Sequence, residues 1–155
     1  MQITTKIFGE ITINQDRVIH FPKGIIGFSD LTDFTLIYNS EKGSNAPIRW
    51  LQSLQEPAFA MPVMDPLLVK PDYNPKVSEE YLSCIGELES DDMLVLVTVT
   101  IPSQIENLTV NLKAPIVVNT KNLKACQVIT EVDEYPVKFP IYSVLQAEKK
   151  KAGTK

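Results

Sequence analysis

The amino-acid sequence predicts a mainly β protein, a barrel or sandwich of short strands with one short helix. Apolar and polar residues alternate in many short runs, and turn residues separate these runs every eight to twelve positions or so, which is typical of such folds. The 155 residues include 11 prolines but only 6 glycines. Prolines favour frequent breaks between extended segments over long helices.

The first half of the chain contains six predicted strands. Residues 3–7 and 11–13 alternate apolar and polar side chains around Gly9, a pattern that indicates a β-hairpin. Further strands are predicted at residues 18–21, 35–38, 48–54 and 58–64. Trp50 is the expected core anchor of its strand, and residues 67–69 are predicted as a very short extended segment.

The predicted helix covers residues 78–86. Ser78 is a suitable N-cap because its hydroxyl can accept from the free N–H groups of the first turn. Glu79 and Glu80 suit the positive end of the helix dipole, and Gly86 is a natural stop. A helix of about two turns is marginal alone, so packing must stabilise it.

The second half is dominated by one apolar strand, residues 93–101. It is apolar on both faces for most of its length, which predicts a central strand that is covered on both sides. Shorter strands are expected at 108–112, 116–118 and 125–130, whereas residues 141–145 could form either a strand or a helix. We expect a single domain over residues 1–146 and a disordered, lysine-rich tail over 147–155.

Charge is unevenly distributed along the chain. The formal net charge is −4, and because residues 148–155 carry +3, residues 1–147 carry −7. An acidic body disfavours direct binding to nucleic acid and favours a basic partner, although simple solubility explains the same charge.

Few residues offer catalytic or metal-binding chemistry. His20 is the only histidine, and its place in a strand favours a packed or surface role over that of a general base. Cys84 and Cys126 are far apart in the sequence, and no metal-ligand spacing or nucleophile motif accompanies them. We therefore expect no enzyme activity, no cofactor and no metal.

The chain is expected to be cytoplasmic. Its first residues lack the apolar core of a signal peptide, and no apolar run approaches the length of a membrane span. Two isolated cysteines also suit a reducing compartment.

An acidic window contains the first candidate binding residues. No lysine or arginine occurs between Val77 and Leu112, whereas seven acidic residues do. A solvated surface and a negative patch for a basic protein are both open interpretations. The candidate residues for partner contact are Glu87, Glu89, Asp91 and Asp92.

Five phrases, in order, carry a resemblance to a known family. They are FGEI at Phe8, FPKGIIGF at Phe21, WLQSL at Trp50, VMDPLL at Val63 and NLKAPIVVNTKNLKACQVI at Asn111. Together, over about residues 3–145, they resemble the flagellar assembly factor FliW family. This chain has Lys124-Ala125 where the family pattern has Lys-Gly, a difference that concerns only the shape of the local turn.

The resemblance implies an antiparallel β pseudo-barrel that is a protein-binding regulator. Its implied partners are flagellin and CsrA, a small RNA-binding translational repressor. When flagellin is scarce, the free protein would bind CsrA away from its RNA site and so relieve repression of flagellin translation by an allosteric mechanism.

A second group of candidate residues lies in and before the turn at 119–122. Its members are Asn111, Lys113, Asn119, Thr120, Lys121 and Asn122. A simple connection between two strands explains this turn equally well. Two alternatives to the regulator also stay open: a small-molecule-binding or enzymatic barrel with a hidden pocket, and a chaperone for flagellin alone.

Overall fold

Two sheets form the fold in a computed structural model, which describes residues 2–6, 9–37, 48–75, 82–86, 92–130 and 135–146. The smaller sheet is an antiparallel hairpin of β1 (Gln2–Thr5) and β2 (Gly9–Thr12). The hairpin predicted around Gly9 is therefore confirmed. Lys6 ties it to the rest of the molecule, because its N–H donates to the carbonyl of Pro57 at 3.1 Å.

The larger sheet contains the other nine strands among the described residues. They are β3 (Ile19–His20), β4 (Asp33–Ile37), β5 (Ile48–Ser53), β6 (Ala60–Met64), β7 (Met93–Thr100), β8 (Thr109–Val110), β9 (Ile116–Asn119), β10 (Lys124–Gln127) and β11 (Phe139–Pro140). The order across the sheet is β11-β8-β7-β6-β5-β4-β3-β10-β9.

Strand β7 closes the larger sheet into a ring. Its first half pairs with β9, with Met93 opposite Asn119 and Leu96 opposite Ile116, while its second half pairs with β6 and β8. The pairings therefore run through seven strands and return to β7. All of them are antiparallel except the single parallel contact between β3 and β10 at His20 and Lys124. The predicted mainly β, largely antiparallel fold is confirmed.

The interior of the ring is the principal hydrophobic core. Every one of its seven strands contributes a buried side chain to one cluster, which includes Ile19, Phe34, Leu51, Val63, Leu96, Ile116, Val118 and Ala125. A second cluster covers the other face of β6 and β7 and includes Met64, Val97, Val99, Val110 and Ile141. Strand β7 is thus buried on both faces, as its sequence predicts.

Trp50 is not the core residue of its strand. The indole is only partly buried, and the adjacent Leu51 is fully buried in the ring interior instead. Because side chains alternate along a strand, only one of these neighbours can face the interior. The expectation that Trp50 anchors the core is therefore wrong.

Short helical turns connect the strands. Residues 67–69 are predicted as extended, but Leu67 and Leu68 belong instead to a 3₁₀ turn at Pro66–Leu68, and Val69 is its C-cap. Asp65 caps the start of this turn by accepting from the N–H of Leu67 at 2.9 Å. Residues 142–146 are helical, which settles the choice left open by the sequence. Of the helix predicted at 78–86, residues 82–85 are described and helical, and Gly86 ends it with φ +84°.

Candidate protein-binding site

The turn between β9 and β10 is organised by two asparagines. The side-chain oxygen of Asn119 accepts from the N–H of Lys121 at 3.0 Å, and that of Asn122 accepts from the N–H of Lys124 at 2.9 Å. Leu123 follows with φ +56°, and its N–H donates to the carbonyl of Asn119 at 2.8 Å. Asparagine favours such turns because its short side chain can hydrogen-bond to the backbone two residues further on.

The same two asparagines fasten the turn to the short helix. Both side-chain NH₂ groups donate to the carbonyl of Ile85 at 2.9 Å. A methyl group at Gly86 would come within 3.2 Å of the Asn122 amide nitrogen. The turn therefore supplies hydrogen-bond donors to a backbone carbonyl at the end of the helix, where carbonyl groups have no partner within the helix itself.

Asp92 joins the turn from the other side. The N–H and the hydroxyl of Thr120 both donate to the backbone carbonyl of Asp92, at 2.8 and 2.9 Å. The Lys121 ammonium lies 3.2 Å from the Asp92 carboxylate. Five of the predicted contact residues are thereby brought together: Asp92, Asn119, Thr120, Lys121 and Asn122.

The turn contacts both flanks of the acidic stretch 87–91. It binds the carbonyl of Ile85 before the stretch and the backbone and carboxylate of Asp92 after it. The other predicted acidic residues, Glu87, Glu89 and Asp91, lie outside the described residues. That they contact a partner stays a prediction.

Asn111 and Lys113 lie at the far end of β9 from the turn. They occupy the break between β8 and β9, where the side-chain oxygen of Asn111 accepts from the N–H groups of Lys113 and Ala114 at 3.0 and 3.1 Å. The carbonyl of Lys113 in turn accepts from Thr130 at 2.8 Å. These two residues shape the chain before β9, and the structure does not bring them together with the turn.

The single histidine and the two cysteines lie outside this site. His20 Nδ1 is 2.7 Å from the carboxylate of Asp33, and both side chains are well exposed. Cys126 is buried beside Ile85, Val117 and Val128, with Cys84 packed against it. Burial, together with the nearby Cys84 thiol, raises the pKa of Cys126 to about 12, so its thiolate is scarce at neutral pH.

A surface cavity with a volume of about 430 Å³ lies between the 3₁₀ turn Pro66–Leu68 and the start of β7. Its lining is mainly apolar. The polar groups of Asp65 and Tyr73 in its wall bind the protein's own backbone: the carboxylate accepts from Leu67, and the phenol donates to the carbonyl of Leu112 at 2.6 Å. This arrangement does not favour the small-molecule or enzymatic alternative, which calls for polar groups directed into the cavity.

No group of three or more histidine, cysteine, aspartate or glutamate side chains suitable for a metal ion occurs within the part of the chain that the structure describes. Among these same residues, none of the helices has the length and apolar composition needed to span a membrane.

Comparison with known proteins decides the family. The family model described as "FliW protein" matches residues 2–141. The chain belongs to the FliW family. The FliW family match thus covers the hairpin, the ring of strands and the turn at 119–122.

Relatives and a solved structure agree with this assignment. A protein of Lachnospira eligens named flagellar assembly factor FliW is 44% identical, over 96% of this chain and 99% of its own length. A protein of the same name from Thermotoga neapolitana is 39% identical, over 96% and 98%. A crystal structure of the flagellar assembly factor FliW superposes with a TM-score of 0.83 at 27% identity, covering 92% of this chain and 97% of that one.

Sequence reasoning missed two residues that build this site, Ile85 and Gly86. Both precede the turn by more than 30 positions, Ile85 being 34 residues before Asn119, and the sequence contains only an indirect signal: the helix-ending glycine. The hydrogen bonds that the structure shows for the side chains of Asn119 and Asn122 are with backbone groups of the protein itself.

Proposed function

We propose that this chain acts in the cytoplasm as a non-enzymatic regulator that binds flagellin and the translational repressor CsrA. The observation that carries the proposal is the family match over residues 2–141, together with relatives named as flagellar assembly factors. Binding of CsrA would relieve repression of flagellin translation, and flagellin would compete by sequestering the regulator. No contact with nucleic acid is required of this chain.

Electrostatics supports CsrA as a partner. Residues 1–147 carry a net charge of −7, and a protein that holds RNA phosphates must be basic at that surface. Opposite fields accelerate the encounter of two proteins. Once bound, the acidic chain would repel an approaching RNA, so repression is relieved without competition for the RNA site itself.

The acidic stretch next to the turn is the proposed CsrA-binding surface. Six acidic residues occur between Ser78 and Asp92, and the turn is bonded to Ile85 and Asp92 on either side of residues 87–91. Asp92 itself is only partly exposed and is already paired with Lys121. We therefore assign the partner contact mainly to Glu87, Glu89 and Asp91.

Size-exclusion chromatography of the purified chain with CsrA, with flagellin and with both tests the function. We expect co-elution with each partner alone and displacement of CsrA by an excess of flagellin. Co-elution with flagellin alone would instead indicate a flagellin chaperone. Co-elution with neither partner would contradict both functions.

A double charge reversal tests the surface. Glu89→Lys with Asp91→Lys leaves Asp92 in place, because its carboxylate and carbonyl bind the turn. Affinity for CsrA should fall about threefold to tenfold at low salt, since a surface charge pair is worth ~0.2–1 kcal/mol, and its salt dependence should flatten.

The matched control is Glu10→Lys with Asp16→Lys, which makes the same change in net charge on β2 and on the 3₁₀ turn Gln15–Arg17. If both double variants weaken CsrA equally, overall charge and not the acidic stretch determines binding. Unchanged affinity of the Glu89/Asp91 variant at low salt would remove this surface from the proposal.

A further inference from the structure

Among the described residues, the backbone at the end of β10 and just after it has one edge without a strand partner. Val128 and Thr130 direct their N–H groups to the β9 side, donating to Pro115 and Lys113 at 3.0 and 2.8 Å. Because successive N–H groups alternate in direction along a strand, Gln127 and Ile129 direct their backbone groups to the opposite side. There β3 pairs with β10 only at Lys124, and within the described residues these groups have no backbone partner.

A groove runs along this edge. The loop at 23–29 forms its opposite wall, and the groove has a volume of about 360 Å³. The side chain of Gln127 ties the edge to the loop: its oxygen accepts from the N–H of Ile26 at 3.0 Å, and its nitrogen donates to the carbonyl of Ala114 at 3.1 Å. Hydrogen bonds within the protein therefore fix the position of the loop relative to the edge.

The groove is bordered by exposed apolar side chains. Ile26 and Ile129 line it and are 50% and 52% exposed. A tight turn holds Ile26 in place, with reciprocal backbone hydrogen bonds between Ile25 and Phe28 of 3.3 and 2.7 Å. One exposed apolar residue is ordinary, but two on opposite walls of a groove at an open strand edge form a surface for a partner.

The charge of the groove differs from that of the whole chain. Of the described residues that line it, Lys23 alone carries a charge. Lys23 forms no ion pair with the carboxylates that the structure describes. In a body of net charge −7, an apolar groove with one uncompensated ammonium group complements an apolar segment that carries a carboxylate.

We propose that this groove binds an extended segment of a protein partner by strand addition. The backbone of the segment pairs with Gln127 and Ile129, and its alternate, apolar side chains contact Ile26 and Ile129. A carboxylate of the segment pairs with Lys23. This inference rests on the proposed protein-binding function but assigns it a second surface, separate from the acidic stretch.

The variant Ile129→Pro tests the strand edge itself. Proline removes the outward N–H without breaking a bond to β9, and it is tolerated at strand edges. Ile129→Ala is its matched control, because it shortens the side chain but keeps the N–H. Thermal unfolding of each variant checks that the fold is retained.

The probes are fluorescent peptides about ten residues long, enough for one strand, that overlap along flagellin and CsrA. We expect apolar peptides with an acidic residue to bind, and Ile129→Pro and Ile26→Asp each to weaken binding about tenfold or more. Ile101→Asp, at a similarly exposed apolar residue away from the groove, should change it less than about twofold.

Peptide affinity unchanged by Ile129→Pro, or no peptide binding at all, would overturn the inference. A concentration-dependent dimer that Ile129→Pro dissolves would also overturn it, because the occupant would then be a second copy of this chain. Intact CsrA and flagellin, tested in parallel, separate the two proposals. If they bind the wild-type chain and every groove variant equally, the proposed function stands and the groove proposal fails.

Discussion

Asn119 shows how a candidate contact residue can serve the fold. Its side chain is almost fully buried; the oxygen accepts from Lys121 and the nitrogen donates to the carbonyl of Ile85. Asparagine in this turn was predictable from turn chemistry, since short amide side chains stabilise such connections. Its bond to Ile85 was not, because no periodic pattern relates residues that are 34 positions apart.

Replacing Asn119 by alanine should destabilise the protein. The change leaves the buried carbonyl of Ile85 with one donor fewer and the N–H of Lys121 without its acceptor, so we expect a loss of about 1–3 kcal/mol in the free energy of unfolding. Urea denaturation followed by Trp50 fluorescence measures it.

The control is Asn107→Ala. The amide of Asn107 is exposed and donates to the side chain of Gln104 at 3.3 Å. Its loss should change the free energy of unfolding by less than about 0.5 kcal/mol. If the two variants were equally stable, the bonds of Asn119 would contribute nothing beyond those of a surface amide.

At the scale of elements, the loop at 21–30 depends on one glycine for its path. Gly24 has φ +69°, and a Cβ placed there would lie 2.5–2.7 Å from the backbone of Ser29. Backbone cannot move aside as a flexible side chain can, so the loop that forms one wall of the groove needs glycine here.

Gly24→Ala should therefore be far more costly than Gly9→Ala. Gly9 has nearly the same φ, +68°, but nothing within 4 Å of its virtual Cβ. We expect Gly9→Ala to cost about 1 kcal/mol from the positive φ alone, and Gly24→Ala about 3 kcal/mol or more because overlap is added. Denaturant midpoints compare the two directly, and equal costs would show that the loop shifts freely.

Most strands were predictable because each is an alternating or continuous apolar run. The failures have local causes. At residues 66–68 a proline and the Asp65 cap favour a helical turn over a strand. Strand β11 is only two residues long and includes Pro140, so it carries no periodic signal. Pairing partners and the break around Asn111 depend on contacts between distant segments, which a single sequence does not record.

At the scale of the whole molecule, β7 connects the two principal clusters. Leu96 faces the ring interior, whereas Val97 and Val99 face the second cluster. The sequence predicted burial on both faces, but not that the same strand closes the ring through β9. A strand shared by both clusters should make them unfold together.

Truncating either cluster tests this coupling. Leu96→Ala in the interior and Val110→Ala in the second cluster remove nearly or fully buried side chains. We expect losses of about 2–5 kcal/mol for the leucine, and less for the smaller valine. Native-state hydrogen exchange by mass spectrometry should show that each variant lowers the protection of both β4 and β8, because global unfolding exposes both clusters.

Met93→Ala provides the control on the same strand. Met93 is exposed at the start of β7, so its loss should leave protection of β4 and β8 almost unchanged. If Leu96→Ala lowered protection in β4 while β8 kept its wild-type value, the clusters would be separate cooperative units. Closure of the ring by β7 would then determine the topology of the fold without making the two clusters unfold together.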